Sequence, residues 1–339
     1  MKQHHFEDDR HFILKVSVLL SALAAAVICS LLYGAETIKL SALFNPEKDS
    51  FDRMILINIR VPRTLLAFAS GALLAGAGAA FQLFFRNPLA EPGIMGISSG
   101  ATLGAVLAGY VSFIPSLFRT VSPVNTGAFC GAVIAGVLVT ALAGKRSGPS
   151  STVALLLCGT ALGTLYSSLT SIILLLREKE LHAMYIWMLG SFSGRGWDEL
   201  RFIALPGTAA FILLLICSLP LDLLAGGEKT ASSLGVEVKR LRFLVMTAGS
   251  LASSAAVCAG GTIGFVGLIA PHIVRRIFGA RSRTLIPLSM AAGAVLMVSA
   301  DTAARLIAAP AEVPVGIITA ILGAPFFISL IFSERSMIQ

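Results

Sequence analysis

Residues 221–242 read LDLLAGGEKTASSLGVEVKRLR, a polar island between two long apolar runs. The island carries Lys229, Lys239, Arg240 and Arg242 against Asp222, Glu228 and Glu237. That many charges do not sit inside a lipid-embedded helix. The island therefore marks a loop at a membrane surface, and the runs on either side mark spans. Within it, a short helix is predicted from Glu228 to Leu234: Ala231 and Leu234 stand three residues apart on one side, and Gly235 stops the helix. A short surface helix with an apolar edge suits docking of another protein. An ordinary solvated loop is the plainer reading and stays open.

The rest of the chain supports the membrane assignment. Of 339 residues, 56% are hydrophobic and only 13% charged, against roughly 25% charged in soluble proteins. The chain is therefore read as an all-α integral membrane protein. The net charge of +8 does not point to nucleic acid, because the basic residues sit at the ends of apolar runs without interleaved aromatics. Membrane lipid is the expected contact. Cys29, Cys130, Cys158, Cys217 and Cys258 all lie in apolar runs with no C-x-x-C pair, so they read as small buried hydrophobes. The apolar stretch from Phe12 to Tyr33 is long for a signal peptide and reads as a retained first span behind a short tail, residues 1–11.

About ten transmembrane helices are predicted, near 12–33, 62–84, 94–114, 124–144, 153–176, 202–220, 243–258, 262–276, 284–309 and 314–333. The seventh and eighth share about 32 residues between Arg242 and Arg275, roughly 48 Å as one helix. Gly260-Gly261 sits midway and basic residues mark both ends, so a hairpin of two short helices is expected. Ten spans place both termini on one side with the 221–242 island. A modest majority of the 26 lysines and arginines falls there, which makes that side cytoplasmic.

Glycines four apart (Gly100/Gly104, Gly127/Gly131, Gly159/Gly163, Gly260/Gly264) are expected to let helices approach closely in lipid. Breaks at Asn87-Pro88, Glu91-Pro92-Gly93, Pro271-His272 and Glu312-Val313-Pro314 imply irregular backbone facing a cavity or pathway. A plain inter-helix turn remains open for each. Asp301 and Arg305, at i and i+4, are expected to pair on one helix face. Arg60 and Arg63 flank Val61-Pro62 at the predicted start of the second span. Two cations there oppose the helix dipole, so they read as placed for an acidic partner, with headgroup anchoring as the alternative.

No enzymatic constellation is found. Gly226-Gly227-Glu228-Lys229-Thr230 lacks phosphate-loop spacing, and no H-E-x-x-H, G-x-S-x-G or paired-carboxylate motif occurs. No cofactor is expected. No cluster of carboxylates or imidazoles that would grip a bare metal ion is found.

The strings RVPRTLLAFASGALLAGAGAAFQ, RNPLAEPGIMGISSGATLGA, GGTIGFVGLIAPHIVRRIFG and AEVPVGIITAILGAPFFISLI resemble the permease subunits of ABC importers for iron-siderophores, haem and vitamin B12. The likeness runs from about Arg60 to Leu330. It implies the type II ABC importer permease architecture, and a single permease domain over the whole chain. It also implies a homodimer with its pathway at the dimer interface, cytoplasmic ATP-binding subunits and an extracytoplasmic substrate-binding protein, in a bacterial inner membrane. The resemblance assigns ATPase coupling to Glu228, Lys229, Ala231, Leu234 and Gly235. It assigns docking of the binding protein to Arg60, Arg63 and Arg305, and the cytoplasmic gate to Asn87, Leu89 and Thr152. Val153 departs from a small polar residue found in a relative. The outer segment 177–201, with its GSFSGRGW string, is expected to bear on cargo: an iron-siderophore first, haem or cobalamin as alternatives. An ATP-independent secondary transporter is the rival of another class, with Asp301 as its only candidate ion site, and a membrane enzyme is disfavoured.

Overall fold

The computed structural model describes residues 2–34, 51–110, 122–143, 149–176 and 178–335. Its helices are α1 (Lys2–Leu32), α2 (Phe51–Ile55), α3 (Val61–Phe85), α4 (Ile97–Tyr110), α5 (Pro123–Ala143), α6 (Pro149–Leu175) and α7 (Glu178–Met188). They continue as α8 (Trp197–Ala225), α9 (Glu228–Ser233), α10 (Val238–Gly260), α11 (Val266–Phe278), α12 (Ser282–Ile307) and α13 (Val315–Arg335). Among the described residues there is no β-strand. Ten of these helices fall on the ten predicted spans, and α9 falls on the predicted surface helix. Residues 111–114 and 144 of the predicted spans lie outside the described residues. Among the described residues, seven helical stretches are long and apolar enough to cross a membrane.

α3 is the axis of the bundle and packs against α8, α10, α11 and α12. Its sequence explains this. Small residues repeat along it, and two glycines meet glycines of neighbours: a Cβ on Gly71 would lie 2.3 Å from the Gly293 carbonyl of α12, and one on Gly78 would lie 1.9 Å from the Gly267 carbonyl of α11. Backbones touch there, so dispersion between closely packed helices holds the core without help from water. The predicted Gly100/Gly104 and Gly127/Gly131 pairs meet each other in the same way across α4 and α5. Gly159 and Gly163 of α6 receive Gly96. Gly260/Gly264 is different: Gly260 faces Phe192, and Gly264 has open space around it. That pair ends a helix and serves no helix–helix contact.

Two further expectations are corrected. Arg60 and Arg63 do not stand at a helix start. α2 and one π turn, Leu56–Arg60, run into α3 to form a continuous helical stretch, Phe51–Phe85. The dipole argument therefore fails, since that effect is confined to the first turn. Asp52 and Arg53 lower the local hydropathy and hide the extension from a span count. Second, the hairpin is asymmetric. α10 has 23 residues, about 35 Å, whereas α11 has 13, about 20 Å. α11 is too short for a bilayer core of about 30 Å, and the non-helical stretch 261–265 takes up the difference inside the protein.

Candidate functional site

At the end of the bundle where α3 begins, charge is buried. Asp301 of α12 accepts hydrogen bonds from Arg63 Nε (3.1 Å) and Nη2 (2.9 Å), and pairs with Arg305 Nε at 3.3 Å. Arg63 Nη1 donates to both oxygens of Glu312, at 2.8 and 3.0 Å. Arg305 donates to the Ser30 carbonyl and hydroxyl, and Arg60 to the carbonyls of Leu31 and Leu32 at 2.8 and 2.7 Å. These groups close the C-terminus of α1, whose last carbonyls have no helical partner and favour cations. The Asp301–Arg305 pairing agrees with its i, i+4 spacing. Arg63 and Glu312 are the partners that local reading missed, because they come from helix and loop positions far apart in sequence.

Arg60, Arg63 and Arg305 are only 4, 5 and 5% exposed. The structure brings the three together, but inside the bundle and not on its surface. Glu312 is the accessible member, with 32% of its side chain exposed. Burial would raise its carboxyl, but the Arg63 guanidinium outweighs burial and holds it below the ordinary carboxylate range, helped by Ser193 of the loop before α8.

The opposite end carries α9. Gly227 opens it at φ 112° and Gly235 closes it at φ 88°. The Gly235 N–H donates to Ser232 O (3.1 Å) and the Val236 N–H to Ala231 O (2.9 Å), the paired bonds that end a helix over a left-handed residue. The helix ends at Ser233, with Leu234 as its cap. The expected apolar edge is split. Ala231 is fully buried in the main core, whereas Leu234 is 60% exposed and Lys229 and Gly235 are exposed; Glu228 is half-buried. One turn thus anchors α9 by Ala231 and presents Leu234 outward. The platform beneath is tied down: Arg86 Nη2 donates to the Leu224 carbonyl, and Asp222 accepts from both the N–H and the hydroxyl of Ser282, at the start of α12.

From the α9 end inward, irregular backbone collects. Asn87 Oδ1 accepts from the Leu89 N–H (2.9 Å), a side-chain-closed turn that leaves Asn87 and Leu89 half-buried. Thr152 lies in the first turn of α6, and its side chain falls outside the described residues. Glu91, on the same turn as Asn87, meets the backbone amide of Phe265. Phe265 adopts φ 68°, strained for a bulky residue, and its ring occupies space left by Gly323 of α13. The stretch 260–265 finds its partners in the GSFSGRGW region: the Ser191 N–H donates to Gly260 O (2.7 Å), and Thr262 Oγ1 donates to Met188 O. Non-helical backbone at this depth survives because protein satisfies it. A cavity of about 650 Å³, lined by Met188, Leu189, Thr262, Gly316, Ala320 and Pro325 among others, opens beside it along α13. None of the predicted breaks lines this cavity: Pro271-His272 lies within regular helix in α11, and the irregular backbone beside the cavity is instead the 261–265 stretch, through Thr262.

A helical membrane bundle with a capped surface helix at one end and a cavity beside broken helices is the architecture of an ABC importer permease. The chain belongs to the FecCD transport family, whose model matches residues 22–333. It is 39% identical over 316 residues to the iron(III) dicitrate transport permease of Escherichia coli, covering 93% of this chain and 96% of that one. Similar too are the cobalamin import permease of Halobacterium salinarum, 41% identical over 82% of this chain and 73% of that one, and the hemin transport permease of Yersinia pestis, 35% identical over 95% and 96%. Among solved structures, an inward-facing metal-chelate type ABC transporter superposes with a TM-score of 0.82 at 33% identity, covering 93% of this chain and 97% of that one.

Proposed function

We propose that this chain is the membrane-spanning subunit of an ATP-driven importer that carries a chelated iron complex, an iron-siderophore or a related chelate. It works as a homodimer in the bacterial inner membrane, with both termini and the 221–242 loop cytoplasmic. The whole chain forms one permease domain, and it hydrolyses nothing itself. The observation that carries the iron reading is the likeness to an iron(III) dicitrate permease over nearly the full length of both chains. Haem and cobalamin are the alternatives within the family.

In this reading a separate ATPase presses on Leu234, Glu228, Lys229 and Gly235. Ala231, Asp222 and Arg86 pass the motion to α8, α12 and α3 as a near-rigid tilt. Asn87, Leu89 and Thr152 form the cytoplasmic gate. A binding protein docks on the Arg60, Arg63 and Arg305 cluster. Because these arginines are buried, its acidic groups would reach Arg63 by replacing Glu312. Glu312→Gln is therefore expected to tighten docking severalfold, and weaker docking in that variant would refute the exchange.

The cargo is tested in proteoliposomes holding the permease, its ATPase and its binding protein. Uptake of ⁵⁵Fe-loaded siderophore or citrate is compared with that of haemin and cyanocobalamin. ATP-dependent uptake of cyanocobalamin or haemin alone would overturn the iron reading. Uptake by the permease without ATPase would overturn the importer reading in favour of a secondary transporter.

A further inference from the structure

A second cavity, of about 520 Å³, lies between α5 and α10, away from the irregular centre. Val133 and Val137 of α5 and Phe243 and Met246 of α10 form its apolar walls. Val137 and Phe243 are each 60% exposed on the outside of the chain. Lys239 and Arg242 stand at one end, and Ser250 at the other. From Lys239 to Ser250 is about 16 Å along α10, about half of a hydrocarbon core of roughly 30 Å. The groove is therefore as deep as one leaflet, with its cations where a headgroup would lie.

Two features of the groove point to an occupant. Arg242 is 6% exposed yet lines the cavity, so its charge is held at the groove and out of open water. Lys239, Arg240 and Arg242 also crowd the first turns of α10, where cations oppose the helix dipole and an anion would offset them. Glu228 and Glu237 line a neighbouring polar cavity and not the groove.

We propose that the α5–α10 groove binds one anionic phospholipid, its phosphate on Lys239 and Arg242 and an acyl chain along Val137, Phe243 and Met246. Lys239 and Arg242 also wall the polar cavity beside α9, so the headgroup would rest against that helix. Any effect on ATPase coupling rests on the importer reading; binding of the lipid does not.

The test uses the full-length chain in nanodiscs of equal phosphatidylglycerol and phosphatidylcholine, with retained lipid counted by native mass spectrometry after detergent release. The wild type should retain phosphatidylglycerol preferentially. Removing a cation should lower that preference about fivefold. Arg242 is buried and its loss endangers folding, so the deciding variants are Lys239→Gln and Val137→Trp, both at exposed positions. Lys239→Gln should keep lipid with that weaker preference, and Val137→Trp should lose lipid of either headgroup. Equal retention of the two lipids by the wild type, or a preference unchanged by Lys239→Gln, overturns the proposal. So does a Val137→Trp chain that loses its partner copy, because the groove would then be a subunit contact. No ATPase is present, so failure here leaves the importer reading untouched.

Discussion

The two ends of α3 handle charge in opposite ways. At the Arg63 end, charges are drawn inward and spent on each other: Arg63, Asp301 and Arg305 are each at most 6% exposed at the side chain, and Glu312 alone looks out. At the α9 end, Lys229 faces outward and Glu228 is half-buried, and of the six helical residues only Ala231 is fully buried. The first arrangement ties α1, α3, α12 and the loop before α13 into one unit. The second leaves a small protrusion on a fixed base. In the proposed importer the protrusion would take the push of a motor subunit, and the clamp would keep the tilting bundle together.

The sharpest way to break this contrast is at Asp301. Asp301→Ala leaves two buried guanidinium groups without their shared carboxylate, a loss on the order of 3–5 kcal/mol. Thermal unfolding of the purified chain should show a large drop. A drop under about 1 kcal/mol, the size expected of a surface pair, would mean that the cluster is not a clamp.

Gly235→Val tests the other end. A β-branched residue at φ 88° costs about 1–2 kcal/mol locally, enough to displace the α9 cap but not to unfold the bundle. Transport in the reconstituted complex should fall about tenfold while the melting temperature changes little. Full transport would refute the coupling role, and a collapse in stability would show that α9 is part of the core.

Glu312→Gln makes the smallest change, about 1 kcal/mol, because the side chain is partly solvated. Its pH dependence is diagnostic. Glu312 is held below its ordinary range in the folded protein, so its contribution is present above the ordinary carboxylate value and is lost as pH falls through the depressed one. The stability gap between wild type and variant should be full at neutral pH and close in acid. A gap that widens in acid would mean that Glu312 is not the ionised partner of Arg63.

Much of this was legible in the residues. Runs of apolar side chains placed ten helices, most of them to within about five residues, because lipid demands a nearly continuous apolar stretch per crossing; the charged starts at Lys2 and Phe51 lie about ten residues outside the predicted spans. The capped helix at Glu228–Ser233 followed from a polar island ended by Gly235. The π turn before α3, the helix α7 and the full length of α10, whose first turns are charged, escaped, because each departs from the rule that a span is apolar and regular. Asp301 could be paired with Arg305, four residues away, but not with Arg63, 238 residues away, nor could Arg63 be paired with Glu312, 249 away.

By itself, the sequence determined that this is a helical membrane bundle with a surface helix where charge interrupts the apolar pattern, because hydropathy and glycine spacing act locally along the chain. Only the tertiary structure decided which way the charges face. Arg60 and Arg63 read in sequence as groups placed for an outside partner, and the fold turns them, together with Arg305, inward onto the α1 carbonyls, Asp301 and Glu312. A buried charge takes the partners that long-range packing brings within 3 Å, and no local pattern encodes which those are.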